Sequence, residues 1–170
     1  ELIASLILFN SSNHTDMDNL ISLDEYIEKM QPEQDKIYFC VADTFEAAIN
    51  SPHIEKLKSK EIEVLLLTDR IDEWLMTSIY EYKGKQLVNV AKEEISKENK
   101  ESKINDKDKD IIEKIKSHLK NKVSDVLISE RLIDSASCLI LPQNEPGAQL
   151  KKILEASGQN FGDSKPIFEV

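Results

Sequence analysis

An α/β fold is predicted for this 170-residue chain: a small three-layer α/β/α unit around a short, mainly parallel sheet, followed by a partial α+β unit. Three observations carry that prediction. Ile37-Tyr38-Phe39-Cys40-Val41-Ala42 is an unbroken apolar run of β-branched and aromatic residues, the pattern of a strand buried on both faces. Glu63 to Thr68, centred on Val64-Leu65-Leu66-Leu67, is a second such run. Helix-start signals stand between and after the two. Buried strands joined by a helical crossover are parallel, with a right-handed connection.

The elements follow in order. Residues 1–9 are apolar, and 10–19 form a polar loop. Ser22-Leu23-Asp24-Glu25 is a capping box, in which Ser22 accepts from the third helical amide and Glu25 reaches back. Its helix puts Leu23, Tyr26, Ile27 and Met30 on one face and ends before Pro32. Asp43 with Glu46 reads as a second capping box, opening a short helix through Ile49. Ser51-Pro52 restarts helix, Ser as N-cap and Pro at the first helical position, with Ile54 and Leu57 turned inward. Asp69 is expected to cap a third helix, with Asp72 in its first turn, where the helix dipole favours negative charge. Gly84 turns the chain, and Gln86 to Val90 reads as a third strand at the sheet edge. This unit spans residues 35–92.

Lys92 to Lys109 is almost entirely charged and polar, so it reads as a solvated connector and a boundary. Beyond it, Ile111, Ile112, Ile115 and Leu119 mark an amphipathic helix. Val123–Leu132 and Cys138–Leu141 read as strands. Residues 147–157 form a short helix with Leu150, Ile153 and Leu154 on one face and Gly158 at its C-terminal cap. The last residues, Ile167-Phe168-Glu169-Val170, are read as an apolar end to which no element is assigned. The second unit is therefore expected to be incomplete, and Glu1 in place of Met hints at a segment cut from something longer.

Composition removes several function classes. Lys+Arg is 22 and Asp+Glu is 32, a net charge of −10, and only Arg70 and Arg131 are arginines. Phosphate and base recognition need a basic, Arg-rich face, so nucleic acid is not an expected partner. No apolar run approaches the ~18 residues of a membrane span. Cys40 and Cys138 stand in no zinc or redox motif, and free thiols point to a reducing, cytoplasmic setting.

Catalytic signals are weak. Ligands of open α/β sheets sit beyond the carboxyl ends of the strands, here Asp43-Thr44 and Thr68-Asp69-Arg70. Neither turn has the glycine that lets backbone amides approach a phosphate. Asp43 and Asp69 are either helix N-caps or paired carboxylates of a phospho-receiver or Mg-dependent phosphatase-like enzyme. His14, His53 and His118 are isolated and read as surface or capping residues. No catalytic, cofactor or metal site emerges.

One helix is richer in apolar residues than a single buried face requires. Projection of Ile71 to Tyr82 at about 100° per residue puts Ile71, Leu75, Ser78, Ile79 and Tyr82 on the buried stripe. Trp74 falls at its margin. Met76 and Tyr80 fall outside, with Glu73 and Thr77 beside Tyr80. These outer residues are either a binding surface or are covered by the helix at 22–31. The face of Leu150, Ile153 and Leu154 is likewise either core or open to an apolar partner.

Ile37 to Asp43, Ser51-Pro52-His53-Ile54-Glu55 and Glu63 to Trp74, in that order, closely resemble the ninety-kilodalton heat-shock chaperone family in its bacterial HtpG form. Ser22 to Tyr26, Tyr82-Lys83-Gly84-Lys85 and Asp125 to Leu132 match in the same order, so the resemblance covers essentially the whole chain. It implies a segment of an ATP-dependent chaperone that binds unfolded or partly folded clients. Residues 1–34 would be the end of a large middle subdomain with connecting helices, and 35–92 a small α/β middle subdomain. Residues 93–109 would be the charged connector and candidate pivot, and 110–170 the first part of a C-terminal domain. ATP and Mg would belong to an absent N-terminal domain, so this segment is not expected to be an enzyme. The parent would be a homodimer, through helices expected after Val170, and the segment monomeric. The resemblance carries client binding onto Glu73 and Trp74 and, on the helix at 147–157, onto Leu150. With the projected surface, the candidate client-binding set is Glu73, Trp74, Thr77, Tyr80, Leu150 and Leu154. Pro146 stands where relatives carry a bulky apolar residue, a departure that bears on how far this helix projects.

Overall fold

The structure is a computed structural model describing residues 2–14, 16–92, 106–142, 145–158 and 165–170. Most of the connector, residues 93–105, lies outside the described residues.

Two parallel strands form the centre of the larger sheet, β3 (Lys36–Val41) and β4 (Leu65–Leu67), with β6 (Lys85–Asn89) parallel to β3 on its other side. The parallel connection predicted from the two apolar runs is thus present. The flanks differ from expectation. β1 (Leu8–Ser11) pairs antiparallel with β4, and β2 (Ile21–Ser22) with β1. At the other edge β5 (Glu81–Tyr82) pairs antiparallel with β6. The sheet order is β2-β1-β4-β3-β6-β5, so the sheet is mixed, parallel only at its three central strands. Gln86–Val90 was expected at the edge, but β6 is interior because the Lys83-Gly84 turn folds β5 over it. β1, from the apolar start of the chain, and β2, after the polar loop, add two strands to this sheet, so sheet and core both cross residue 34.

Strand alternation sends side chains to two apolar clusters. Ile37 and Phe39 of β3 and Leu65 and Leu67 of β4 meet Leu23 and Tyr26 of α1 (Leu23–Lys29) and Met76 of α4 (Asp72–Ser78). Cys40 and Leu66 face the other way, toward Phe45 and Ala48 of α2 (Phe45–Ile49). They also meet Ile54 of a 3-10 turn (Pro52–Ile54) that leads into α3 (Glu55–Ser59). Each fully buried Leu or Ile contributes about 1.5–3 kcal/mol. Tyr26 ties the first cluster to the backbone. Its hydroxyl donates to the Glu63 carbonyl at 2.6 Å and accepts the Tyr38 amide at 3.1 Å and the Gln34 side-chain amide at 3.0 Å.

Local signals resolve unevenly. The Ser22–Glu25 capping box forms with both of its bonds. At α2 the N-cap is Thr44, whose hydroxyl accepts the Ala47 amide at 3.1 Å, and not Asp43. At α4 the expected Asp69 cap is inverted, because the Asp69 amide donates to the Asp72 carboxylate at 2.9 Å. α4 ends at Ser78 and does not continue to Tyr82, because Glu81 and Tyr82 are drawn into β5. Lys83 and Gly84 take φ 48° and 77°, a two-residue turn that matches the twist of the hairpin.

The second unit comprises α5 (Asp106–Leu119), β7 (Asp125–Leu127), β8 (Cys138–Ile140), α6 (Ala148–Ala156) and β9 (Ile167–Glu169). Its sheet order is β7-β9-β8, so the apolar terminal segment, to which the sequence alone assigns no element, is the central strand. The strand expected over Val123–Leu132 shortens to three residues. Beyond it Ser129 and Arg131 turn their side chains to the buried Glu169 of β9, at 2.8 and 3.0 Å.

Candidate functional site

The six predicted site residues lie on α4, on the segment just after it, and on α6. Their burial separates them. Trp74 is 62% exposed and Tyr80 72% exposed, and Thr77 is open to solvent as well. Glu73 is only 4% and Leu150 7% exposed, and Leu154 is half-buried. Ile71, expected on the buried stripe, is 64% exposed, while Met76, expected outside it, is in the core. The helix is rotated about its axis relative to the projection, so Glu73 and Met76, one turn apart, form the buried stripe.

A carboxylate can sit on a buried stripe only if something replaces its water. Here the replacement is the first turn of α6. Glu73 accepts the Gly147 amide on Oε1 and the Leu150 amide on Oε2, the latter at 3.0 Å. The first amides of a helix have no intrahelical partner, and its dipole favours a negative charge there. α6 has no side-chain cap of its own, its N-cap being Gly147, so Glu73 supplies the cap from 74 positions away. Gly147 leaves room for the approach: a Cβ at that position would run into the Glu73 carboxylate, which would have to shift. These bonds bridge α4 and α6.

Thr77 is exposed, but its hydroxyl donates to the Trp74 carbonyl at 2.6 Å and so is engaged within its own helix. The apolar side chains open to solvent around α4 are Ile71, Trp74 and Tyr80. On α6, Ile153 is exposed. An exposed, aromatic-rich cluster is the kind of surface that proteins use to hold other polypeptides.

Sequence reasoning missed the junction between the two units. Glu55, at the start of α3, accepts the backbone amides of Ile133 at 2.7 Å, Asp134 at 3.0 Å and Ser135 at 3.2 Å, with the Ser135 hydroxyl also donating to it. These bonds hold its pKa at about 2, the Ser135 hydroxyl being the largest cause and the Ile133 amide the next. Arg131 pairs with Glu169 and also donates to the Val90 carbonyl at 2.5 Å. The Leu141 amide donates to the Ala91 carbonyl at 3.1 Å. No local pattern announces these contacts, because every partner is distant in sequence. His53, expected at the surface, is half-buried beside this junction with Nδ1 unpartnered. Burial, and next the nearby Arg131 charge, lower its pKa to about 4. Cys40 and Cys138 are free and buried, as small strand hydrophobes should be. Burial raises both thiol pKa values, that of Cys138 to about 11.

The enzyme alternative finds no support. Among the described residues no group of three or more His, Cys, Asp or Glu side chains could hold a metal ion. The turns after β3 and β4 offer no glycine cradle for a phosphate. Among the described residues no helix is long and apolar enough to cross a membrane.

The comparisons with known proteins agree over the full length. A family model described as Hsp90 protein matches residues 1–168. The chain is 43% identical to the Chaperone protein HtpG of Dechloromonas aromatica, over all of this chain and 28% of that protein. It is 40% identical to the protein of the same name from Shewanella denitrificans, and 43% identical to that from Paraburkholderia xenovorans, with the same coverage. The chain therefore spans about 28% of the length of the relatives it matches. With a family model covering nearly every residue, this chain belongs to the Hsp90 protein family.

Proposed function

We propose that this segment presents a client-binding surface of an ATP-dependent molecular chaperone, centred on Trp74 and Tyr80 of the α4 region. The observation that carries the proposal is the exposure of Ile71, Trp74 and Tyr80 within one short stretch of a well-packed unit. Aromatic side chains bury large areas at low entropic cost, which suits weak binding of many partly folded polypeptides. Thr77, Leu154 and Ile153 extend the surface at its edges. Leu150 and Glu73, buried in this arrangement, belong to the site through α6 and not as exposed contacts.

In this reading ATP and Mg bind elsewhere in the parent chaperone, and the segment itself turns over no substrate. Residues 35–92, with β1 and β2 from before residue 34 added to their sheet, form the small α/β subdomain, and 110–170 begin the C-terminal domain. The parent works as a cytoplasmic homodimer and the segment alone is a monomer. Nucleotide state in the parent would shift the population of client-surface arrangements.

Trp74→Ala and Tyr80→Ala test the surface. Binding of reduced, carboxymethylated lactalbumin, measured by anisotropy, should weaken about tenfold for each, as loss of an aromatic anchor implies. Unchanged affinity in both variants would refute the proposed surface.

A further inference from the structure

α6 is a nine-residue helix without a cap of its own, and a helix so short is marginal in water unless something outside it holds it. The holder is Glu73, whose carboxylate accepts the first-turn amides of Gly147 and Leu150. The arrangement balances two opposed terms. Burying a carboxylate is costly, and charge-assisted bonds to a helix N-terminus recover that cost only while α6 stays docked. Because the two terms oppose each other, losing either partner of the contact shifts the balance between docked and undocked α6.

We propose that Glu73 is a positioning residue: it latches α6 against α4, keeps Leu150 covered, and on release turns the apolar face of α6 toward clients. The last step rests on the client-binding reading; the latch itself does not. The closed state buries Leu150 and half-buries Leu154 while leaving Trp74 and Tyr80 open. A client engaged at Trp74 lies beside the latch, on the open face of α4 next to the buried stripe that holds Glu73. Release adds Leu150 and the covered part of Leu154 to an apolar surface that already includes Trp74, Tyr80 and Ile153.

Two variants reach the contact from opposite sides. Glu73→Ala removes the acceptor. Gly147→Ala keeps the carboxylate and places a Cβ against it. Gly147 sits at φ −67° and ψ 173°, extended backbone that alanine adopts freely, so the second variant acts through Glu73. Hydrogen exchange is read on α6 amides and on β3 and β4 amides of the same sample. In both variants α6 exchange should rise on the order of tenfold, with β3 and β4 unchanged. Glu73→Gln, which keeps an acceptor oxygen but loses the charge, should fall between. Adding Gly147→Ala to Glu73→Ala should produce no further rise. Affinity for reduced, carboxymethylated lactalbumin should increase in the single variants.

Unchanged α6 exchange in Gly147→Ala, or in Glu73→Gln and Glu73→Ala together, would overturn the latch. Loosened α6 with weaker client binding would overturn it too, since Glu73 would then be a contact. Absence of client binding in every form, the unaltered chain included, would defeat the client reading, while exchange would still decide the latch.

Discussion

The carboxylate of Glu55, on the first residue of α3, accepts the backbone amide of Ile133 at 2.7 Å across 78 positions of sequence. The next two amides and the Ser135 hydroxyl converge on the same carboxylate. Successive amides turned inward make a concave anion site, and here the anion is a side chain of the other unit. Together with Arg131 reaching the Val90 carbonyl and Glu73 capping α6, it makes the junction polar and directional. Such a junction resists sliding but opens when its charges are removed.

That gives a pH dependence. Glu55 has a pKa of about 2 in the folded chain against an ordinary 4.5. A carboxylate with a depressed folded pKa stabilises fully above its unfolded value, and the contribution is lost as pH falls through the folded one. The urea midpoint should therefore drop between pH 4.5 and 2, and drop less in Glu55→Gln, which cannot titrate. At neutral pH Glu55→Gln should cost about 1 kcal/mol, since solvent screens a partly open site.

Tyr26 should behave in the opposite sense. Burial is the main cause of a phenol pKa raised to about 12. One of the chain's four tyrosines should then ionise well after ordinary phenols in an ultraviolet titration. Stability should fall as pH rises from 10 toward 12, because the unfolded chain ionises first. Tyr26→Phe leaves the Tyr38 amide and Glu63 carbonyl without their hydroxyl partner and should cost about 1–3 kcal/mol in urea unfolding.

Two small changes test the local signals. Thr44→Ala removes the α2 cap and should cost about 1 kcal/mol. Gly84→Ala puts a Cβ at φ 77° with open space around it, so its cost of about 1 kcal/mol is backbone strain alone. Both are read as shifts in urea midpoint at constant slope.

These particulars show what sequence could carry. The β3 and β4 runs were legible because strands buried on both faces need unbroken apolar residues. The Ser22–Glu25 box was legible because both partners are local. Long-range pairing was not: β1 joins β4, and β9 joins β7 and β8, through partners dozens of residues away. The α4 projection failed for the same reason. A helical wheel ranks Glu73 as a solvent residue, and only the α6 N-terminus, far along the chain, makes its burial tolerable. The surplus of apolar residues on that helix left exposure and cover by α1 as alternatives, and the structure opens Trp74 and Tyr80 while burying Met76, whereas the concealment of Leu150 depends on the cap that Glu73 provides.

Trp74 is the chain's single tryptophan, so its fluorescence reports one site without labelling. Acrylamide quenching should find it accessible in the free chain, and reduced, carboxymethylated lactalbumin should shift its emission to the blue and reduce the quenching. A Trp74 that is already blue-shifted and shielded, or one that is accessible but indifferent to saturating unfolded polypeptide, would contradict a client surface on α4.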